Sequence, residues 1–308
     1  MHGPEVILVT GSAGFIGRSV TSGLVAAGKD VVSLDSKPSA AALRVQHLKC
    51  DITDATRVRE IFGSRPVGTV VHLASVLRTA SIQNPKLATQ VNIMAALNIL
   101  EAAREFRVPR VVYSSSISVY GSKCTGDITE LAPTSPEDVY GATKTYVEVL
   151  GEAYARKYGI EFVAVRIPVV VGSGATGTSS PWRSEIFEMP RQTRAITIPY
   201  DGTEILPLVH VQDLADMFAI LINSNAPAFS KYNSPCEIWR LEDLKSEIER
   251  LNNNLQIRFG NSRFDGGPRR INADRFRTEF SYAPVPLTNR LRDAVHRSIE
   301  QPTSRDLK

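Results

Sequence analysis

The chain has 308 residues, is 43% hydrophobic and 22% charged, and carries a formal net charge of +4. That length suits one large α/β enzyme that needs no disulfide or metal to hold its core. The composition argues against three classes of partner. Cys50, Cys124 and Cys236 are odd in number and lack metal-ligand spacing, no apolar run is long enough to span a bilayer, and no dense Lys/Arg run with interleaved aromatics marks a nucleic-acid surface. Reduced thiols and the lack of a signal-like leader point to the cytoplasm.

In chain order, Val6–Thr10 is a continuous apolar run and reads as a strand buried on both faces. A glycine-rich turn, Gly11–Gly17, leads into a helix over Phe15–Ala27 that Gly28 closes. Further strands are predicted over Val31–Asp35, Val45–Cys50, Thr69–Leu73, Arg110–Ser114 and Glu161–Arg166. Helices are predicted over Asp54–Phe62, with Asp54 near its N-cap, over Leu87–Arg107, and over Val139–Tyr158 with Gly159 as its stop. Strands alternating with helices of this length imply parallel pairing, right-handed crossovers and a Rossmann-type doubly wound sheet. After Gly172 the pattern breaks into a loop, Ser173–Pro181, with no apolar period. Leu206–Val211 then reads as a strand and Asp213–Ile222 as a helix, both expected to return to the main sheet.

The segment Thr10-Gly11-Ser12-Ala13-Gly14-Phe15-Ile16-Gly17 follows a strand and opens a helix. Gly11 permits the tight turn, Gly14 lets the backbone approach a pyrophosphate, and Gly17 allows close packing of helix on strand. The helix N-terminus presents N–H groups to phosphates. Asp35 closes the second strand, where a carboxylate accepts from ribose hydroxyls and repels a 2′-phosphate. NAD is therefore favoured, with NADP the lesser alternative because Lys37 and Arg44 lie nearby. Asp51 and Ile52 follow the third strand and are placed to meet the adenine edge, unless Asp51 is only a loop acid. The domain reading is a NAD-binding domain over 1–172, with 203–223 returning to it. An interleaved, smaller C-terminal substrate-binding lobe spans 173–202 and 224–308.

Tyr140 and Lys144 stand one helical turn apart on one face. A phenol is a poor base near neutrality, but a neighbouring ammonium stabilises its phenolate. Ser116, at the end of a strand, is the choice for binding the reacting oxygen, with Ser114, Ser115 and Ser118 as rivals whose other role is to satisfy a strand end.

With these residues the chain resembles the extended short-chain dehydrogenase/reductase family, also called the NAD-dependent epimerase/dehydratase family. The marks are Thr10–Gly17, Asp35, Asp51-Ile52, His72–Ser75, Asn84-Pro85 with Asn92, Ser114–Gly121, Tyr140–Lys144, Arg166–Gly172 and Leu208–Asp213. They cover the first two thirds closely and the rest loosely. The resemblance implies that Ser116, Tyr140 and Lys144 are the catalytic residues. It implies that Asn92 supports the lysine through water, and that Leu73, Ala74 and Ser75 line the cofactor with Ser114. It also implies that Ile167, Pro168 and Val169 face the nicotinamide. A homodimer through the helices around Leu87–Arg107 and Val139–Tyr158 follows from it as well.

Three departures bear on the substrate. Val169 stands where sugar-nucleotide members usually carry Asn. Ile205 and Leu206 stand where they usually carry a diphosphate-binding Arg, and no apolar side chain replaces a bidentate donor. Ile117-Ser118 replaces the acidic pair of the 4,6-dehydratases, which argues against dehydration. Ser179, Ser180, Trp182 and Arg183 lie in the loop expected to cover the pocket, with Arg183 for a carboxylate or phosphate and Trp182 to stack on a sugar face. Ser115 is a further substrate contact and Arg269, beside Arg270, an alternative anion site. His72 and His210 read as structural. The expected chemistry is oxidation of a secondary hydroxyl in a sugar-like, even nucleotide-sugar, substrate, with a lean to epimerase-type turnover. Net dehydrogenation of a uronate or hydroxy-amino acid is the alternative, and a non-catalytic NAD sensor is the reading from another class.

Overall fold

The computed structural model describes residues 5–38, 45–175, 180–188, 190 and 192–300, the last four of these by their backbone alone. Its strands are β1 (Val6–Thr10), β2 (Val31–Asp35), β3 (Gln46–Lys49), β4 (Val67–His72), β5 (Arg110–Ser116), β6 (Glu161–Ile167), β7 (Val169–Val171), β8 (Arg194–Tyr200), β9 (Ile205–His210), β10 (Lys231–Asn233), β11 (Glu237–Arg240) and β12 (Leu255–Ser262). Seven of them form one sheet in the order β10-β6-β5-β4-β1-β2-β3, with every neighbouring pair parallel. This is the doubly wound arrangement that the alternation of periods predicts.

The strands are apolar because both faces are covered. Leu8, Val70 and Val111 face one core and Val9, Val71 and Val112 the other, the alternation that a strand's period of two requires. Asp54 caps the helix Ala55–Gly63 by accepting from Arg57 N at 3.0 Å. Gly159 ends the helix Val139–Tyr158 in the left-handed conformation, φ 73°.

Two expectations change. The strand of residues 205–210 does not join the main sheet. It lies in a three-stranded sheet, parallel to β7 and antiparallel to β11. The cause is Pro168: it lacks an N–H, the β5–β6 ladder ends at Ser116↔Ile167, and the chain leaves the sheet as β7. The seventh strand of the main sheet is β10, assigned from the sequence to the smaller lobe. Helix Val211–Asn223 does pack on the larger half, where Ser19 Oγ donates to the Val211 carbonyl and Arg110 Nη1 donates to the carbonyls of Leu221 and Ile222. The second change is the single helix predicted over 87–107. It is built as Pro85–Ala88, a π-helical turn Thr89–Met94, and Ala95–Glu105. Among the described residues, no helix is long and apolar enough to cross a membrane.

A buried ion pair fixes the helix Val139–Tyr158 against β6. Arg166 Nε and Nη2 donate to the two carboxylate oxygens of Glu148 at 2.9 and 2.7 Å, with both side chains 3% exposed or less. Arg166 Nη1 also donates to the Tyr120 hydroxyl at 2.7 Å. Breaking one side of such a pair strands a buried charge. Arg166→Met is therefore expected to lower unfolding stability by about 3–5 kcal/mol in denaturant titration; a loss under about 1 kcal/mol would contradict the assignment.

Candidate active site

The glycine loop is shaped by contacts that no side chain survives. Gly11 holds φ +70°, and a Cβ there would lie 2.6 Å from Ala74 N. A Cβ on Gly17 would lie 2.0 Å from the Gly11 carbonyl oxygen. Gly14 precedes the helix Phe15–Ala26 without a side-chain cap, so the first turn keeps its donors for an anion. Phe15 and Ile16 are half-buried against the core. Asp35 is aimed at this loop: its Oδ2 accepts from Ala13 N and its Oδ1 from Lys37 N, both at 2.9 Å. Leu73 N and Ala74 N donate to the Thr10 carbonyl and hydroxyl at 3.2 and 3.3 Å, which sets Leu73–Ser75 beside the glycines. A backbone cradle without Cβ atoms, a free helix N-terminus and a strand-end carboxylate together fit a dinucleotide.

Asp51 is exposed, and its Oδ1 accepts from Thr53 N and Thr53 Oγ1 at 2.9 and 2.8 Å. Ile52 is buried and its carbonyl accepts from Asn98. Asp51 thus fits the turn-acid reading.

The Tyr140/Lys144 pair is brought together as predicted. Lys144 is buried, and its Nζ donates to the Ser114 carbonyl at 2.8 Å. The amine lies 5.5 Å from the Tyr140 ring centroid and 4.8 Å from that of Tyr113. Burial pushes the ammonium down to about 7, opposed by the Glu148 carboxylate one turn along. Tyr140 is pushed up to about 12 by burial; its hydrogen bond with Ser116 and the charge of Arg183 oppose this, while Asp138 adds to it.

Asn92 sits in the π-helical turn, where the extra residue directs its amide inward. Its Oδ1 accepts from Val76 N at 2.7 Å and Ser75 Oγ at 3.1 Å, and its Nδ2 donates to Thr143 Oγ1 and the Val76 carbonyl, each at 3.1 Å. It clamps the Leu73–Val76 loop to the residue preceding Lys144. The Ser114 hydroxyl donates to the His72 carbonyl at 3.1 Å, so Ser114 offers Lys144 its carbonyl. Ile167, Pro168 and Val169 are buried, with Ile167 paired to Ser116 in the sheet.

Four substrate-side expectations are corrected or fall outside the description. Ser115 is spent on the helix Val139–Tyr158 and is not a free substrate contact: its Oγ donates to Glu148 Oε1 at 2.5 Å beneath that helix, where both groups are buried. Trp182 is 0% exposed within the core and cannot stack on a sugar. Arg269 is paired with Glu204 at 3.0 Å and is not a free anion donor. Ser179 lies outside the described residues; Ser180 is half-buried, and its carbonyl accepts from Arg183 N.

Arg183 lies on the short helix Trp182–Glu185 rather than in a loop. It lies near Tyr140 and hydrogen-bonds Tyr200, a partner that no pattern in the sequence marked. Among the described residues no carboxylate pairs with it, and its Nε is buried without a partner. Burial lowers its pKa, as happens to a cation lacking an anion. Leu206 is fully buried, which removes the diphosphate donor from that position. The two histidines are structural. His72 Nδ1 bonds Thr10 Oγ1 at 2.7 Å, and burial keeps the ring neutral with its pKa at about 3. His210 Nδ1 accepts from Gln212 N at 3.2 Å.

Two measurements check this geometry. Gly17→Ala is expected to weaken NAD binding by at least about 100-fold, since the new methyl meets backbone rather than a flexible side chain; affinity within a few-fold of the parent would contradict it. Lys144 binds fewer protons folded than unfolded between its depressed value of about 7 and its ordinary one, so its contribution to stability rises with pH across that window. The Tm of Lys144→Met relative to the parent is therefore expected to be higher at pH 6 than at pH 9. A difference that stays constant with pH would contradict the buried amine.

The chain matches the family model described as the NAD dependent epimerase/dehydratase family over residues 7–233. It is 30% identical over 223 residues to UDP-glucuronate 4-epimerase of Thermodesulfobacterium geofontis, covering 68% of each chain. It is 26% identical over 264 residues to the mitochondrial L-threonine 3-dehydrogenase of Bos taurus, covering 82% of this chain and 70% of that one. Among solved structures, L-threonine dehydrogenase from Phytophthora infestans superposes with a TM-score of 0.86 at 27% identity, covering 96% of this chain and 100% of that one. The fold is shared as well with UDP-glucose 4-epimerase of Thermotoga maritima, TM-score 0.85 at 23% identity, covering 96% and 100%. The chain belongs to the NAD-dependent epimerase/dehydratase family, is an enzyme of the extended short-chain dehydrogenase/reductase type, and uses NAD as its cofactor.

Proposed function

We propose that this enzyme oxidises the secondary hydroxyl of a small polar substrate that carries a carboxylate, a hydroxy acid, hydroxy-amino acid or uronate. The observation that carries the reading is Arg183, a guanidinium beside Tyr140 with no carboxylate partner among the described residues. Two other candidate anion positions are closed, Leu206 by burial and Arg269 by Glu204. The substrates named for two kinds of relative, UDP-glucuronate and L-threonine, share a carboxylate and a secondary hydroxyl.

In this reading Arg183 binds the carboxylate and turns the hydroxyl toward Tyr140. NAD, when bound, supplies the hydride acceptor. Tyr140 takes the hydroxyl proton as the C–H hydride departs, and the Lys144 ammonium stabilises the phenolate. Ser116 binds the oxygen as it becomes a carbonyl. The Asp35 carboxylate favours NAD over NADP by repelling a 2′-phosphate. If the keto product turns over and is reduced in place, the same residues carry out epimerisation, the outcome to which the family resemblance leans. Apolar side chains exposed on the helices expected to pair, Leu87, Met94, Tyr146 and Val149, support a homodimer.

Incubation with NAD and a panel of hydroxy acids, hydroxy-amino acids, uronates and neutral sugars tests the reading. NADH should form with acids and not with their neutral counterparts; stereoisomers without net NADH mark the epimerase; equal turnover of neutral sugars contradicts the role of Arg183. With an active acid, Tyr140→Phe should lower kcat by at least about 100-fold. Arg183→Met should raise KM by about 10–100-fold while NAD affinity stays within a few-fold. Light scattering at micromolar concentration should give a dimer mass; a monomer contradicts the pairing.

A further inference from the structure

Arg18 stands in the first turn of the helix Phe15–Ala26 and is half-buried. A helical side chain leans toward the N-terminus of its own helix, which brings the guanidinium back to the glycine loop. Its Nη1 donates to the Ala13 carbonyl at 2.7 Å. The N–H of the same residue donates to Asp35 Oδ2 at 2.9 Å, so Ala13 is held on both sides. Arg18 Nη2 donates to the carbonyl of Gly174, 156 positions along the chain. One planar fork therefore bridges the cofactor loop and the segment that follows β7.

That segment leads on to the substrate side. Gly174 holds φ +94°, a conformation that favours glycine. Gly174 N and Ala175 N both donate to Ser184 Oγ, at 2.8 and 3.2 Å, and Ser184 is buried. Gly172 N donates to the Arg183 carbonyl at 3.0 Å. The helix Trp182–Glu185 is a single turn without a side-chain cap. A turn that short has little stability of its own, so these contacts, with the burial of Trp182, set where it sits. The line of hydrogen bonds runs Asp35, Ala13, Arg18, Gly174, Ser184, and it ends beside Arg183.

We propose that Arg18 is a positioning residue for the substrate: it ties Gly174 to the cofactor loop and so sets the place of Arg183 relative to the NAD site. This rests on the reading of Arg183 as the carboxylate site. A guanidinium that grips a carboxylate places the neighbouring hydroxyl only as accurately as it is itself placed. Arg18 and Ser184 act in series on one stretch of backbone. Arg18 takes the carbonyl of Gly174 and Ser184 takes its N–H, so removing either breaks the same line.

The test is a double-mutant cycle between Arg18 and Ser184, with NAD saturating for each variant. The substrate is the most active acid among the hydroxy acids, hydroxy-amino acids and uronates. Arg18→Met and Ser184→Ala are each expected to raise the KM for that acid by about tenfold, with kcat within a few-fold of the parent. The double variant should again show about tenfold, and not the roughly 100-fold of two independent sites. Calorimetric titration of Ser184→Ala with NAD should give an affinity within a few-fold of the parent, because Ser184 acts on the substrate side. A parental KM in Arg18→Met, additive effects in the double variant, or a loss of NAD affinity in Ser184→Ala as large as the rise in KM overturns the proposal. If no acid is turned over, or Arg183→Met leaves the KM unchanged, the carboxylate reading fails and the proposal falls with it.

Discussion

The candidate site depends on one contact, the Lys144 amine enclosed beside the Tyr140 phenol. An ammonium in water would do little for a phenol, because solvent screens it. Here the amine is buried and directed by the Ser114 carbonyl, so its charge acts through protein rather than water. The same burial draws its pKa down toward neutrality, so the arrangement is tense. The tension is contained by Glu148 one turn further on, which Arg166 grips from β6. A pair that looks purely structural therefore holds the helix Val139–Tyr158 at the depth that buries the amine.

A second constraint is that the site is shared between the two parts of the chain. The sheet supplies Ser116 and the glycine cradle, and the helix Val139–Tyr158 supplies Tyr140 and Lys144. Arg183 and Tyr200 come from residues beyond β7. The departure at Pro168 marks this division, because the chain leaves the main sheet there and continues as β7 in the three-stranded sheet. Asn92 and Arg78 join the loops of the first part, one to the residue before Lys144 and the other to the helix cap Asp138 and to Asp265.

Much of the fold was legible because burial on both faces writes itself as unbroken apolar runs, as in Val6–Thr10 and β5. The glycine loop was legible because close backbone approach admits only glycine at residues 11 and 17. Tyr140 and Lys144 were legible because helical spacing places them on one face. What was not legible depends on distant partners. The facing of Ser115 follows from strand register, and the burial of Trp182 from packing by residues far along the chain. The pairing of Arg269 with Glu204 spans 65 positions. The three-residue strand β10 is too short to show a period, and the π-helical turn at Thr89–Met94 has the apolar spacing of an ordinary helix.

The most direct test of the central claim is the titration of residue 140 itself, followed by NMR of ring-labelled tyrosine in the free enzyme and with NAD bound. The account predicts a midpoint near 12 in the free protein that falls toward neutrality once the cofactor's positive ring joins the amine. A midpoint that stays near 12 in the complex would show that the buried amine and the dinucleotide do not make this phenol a proton acceptor.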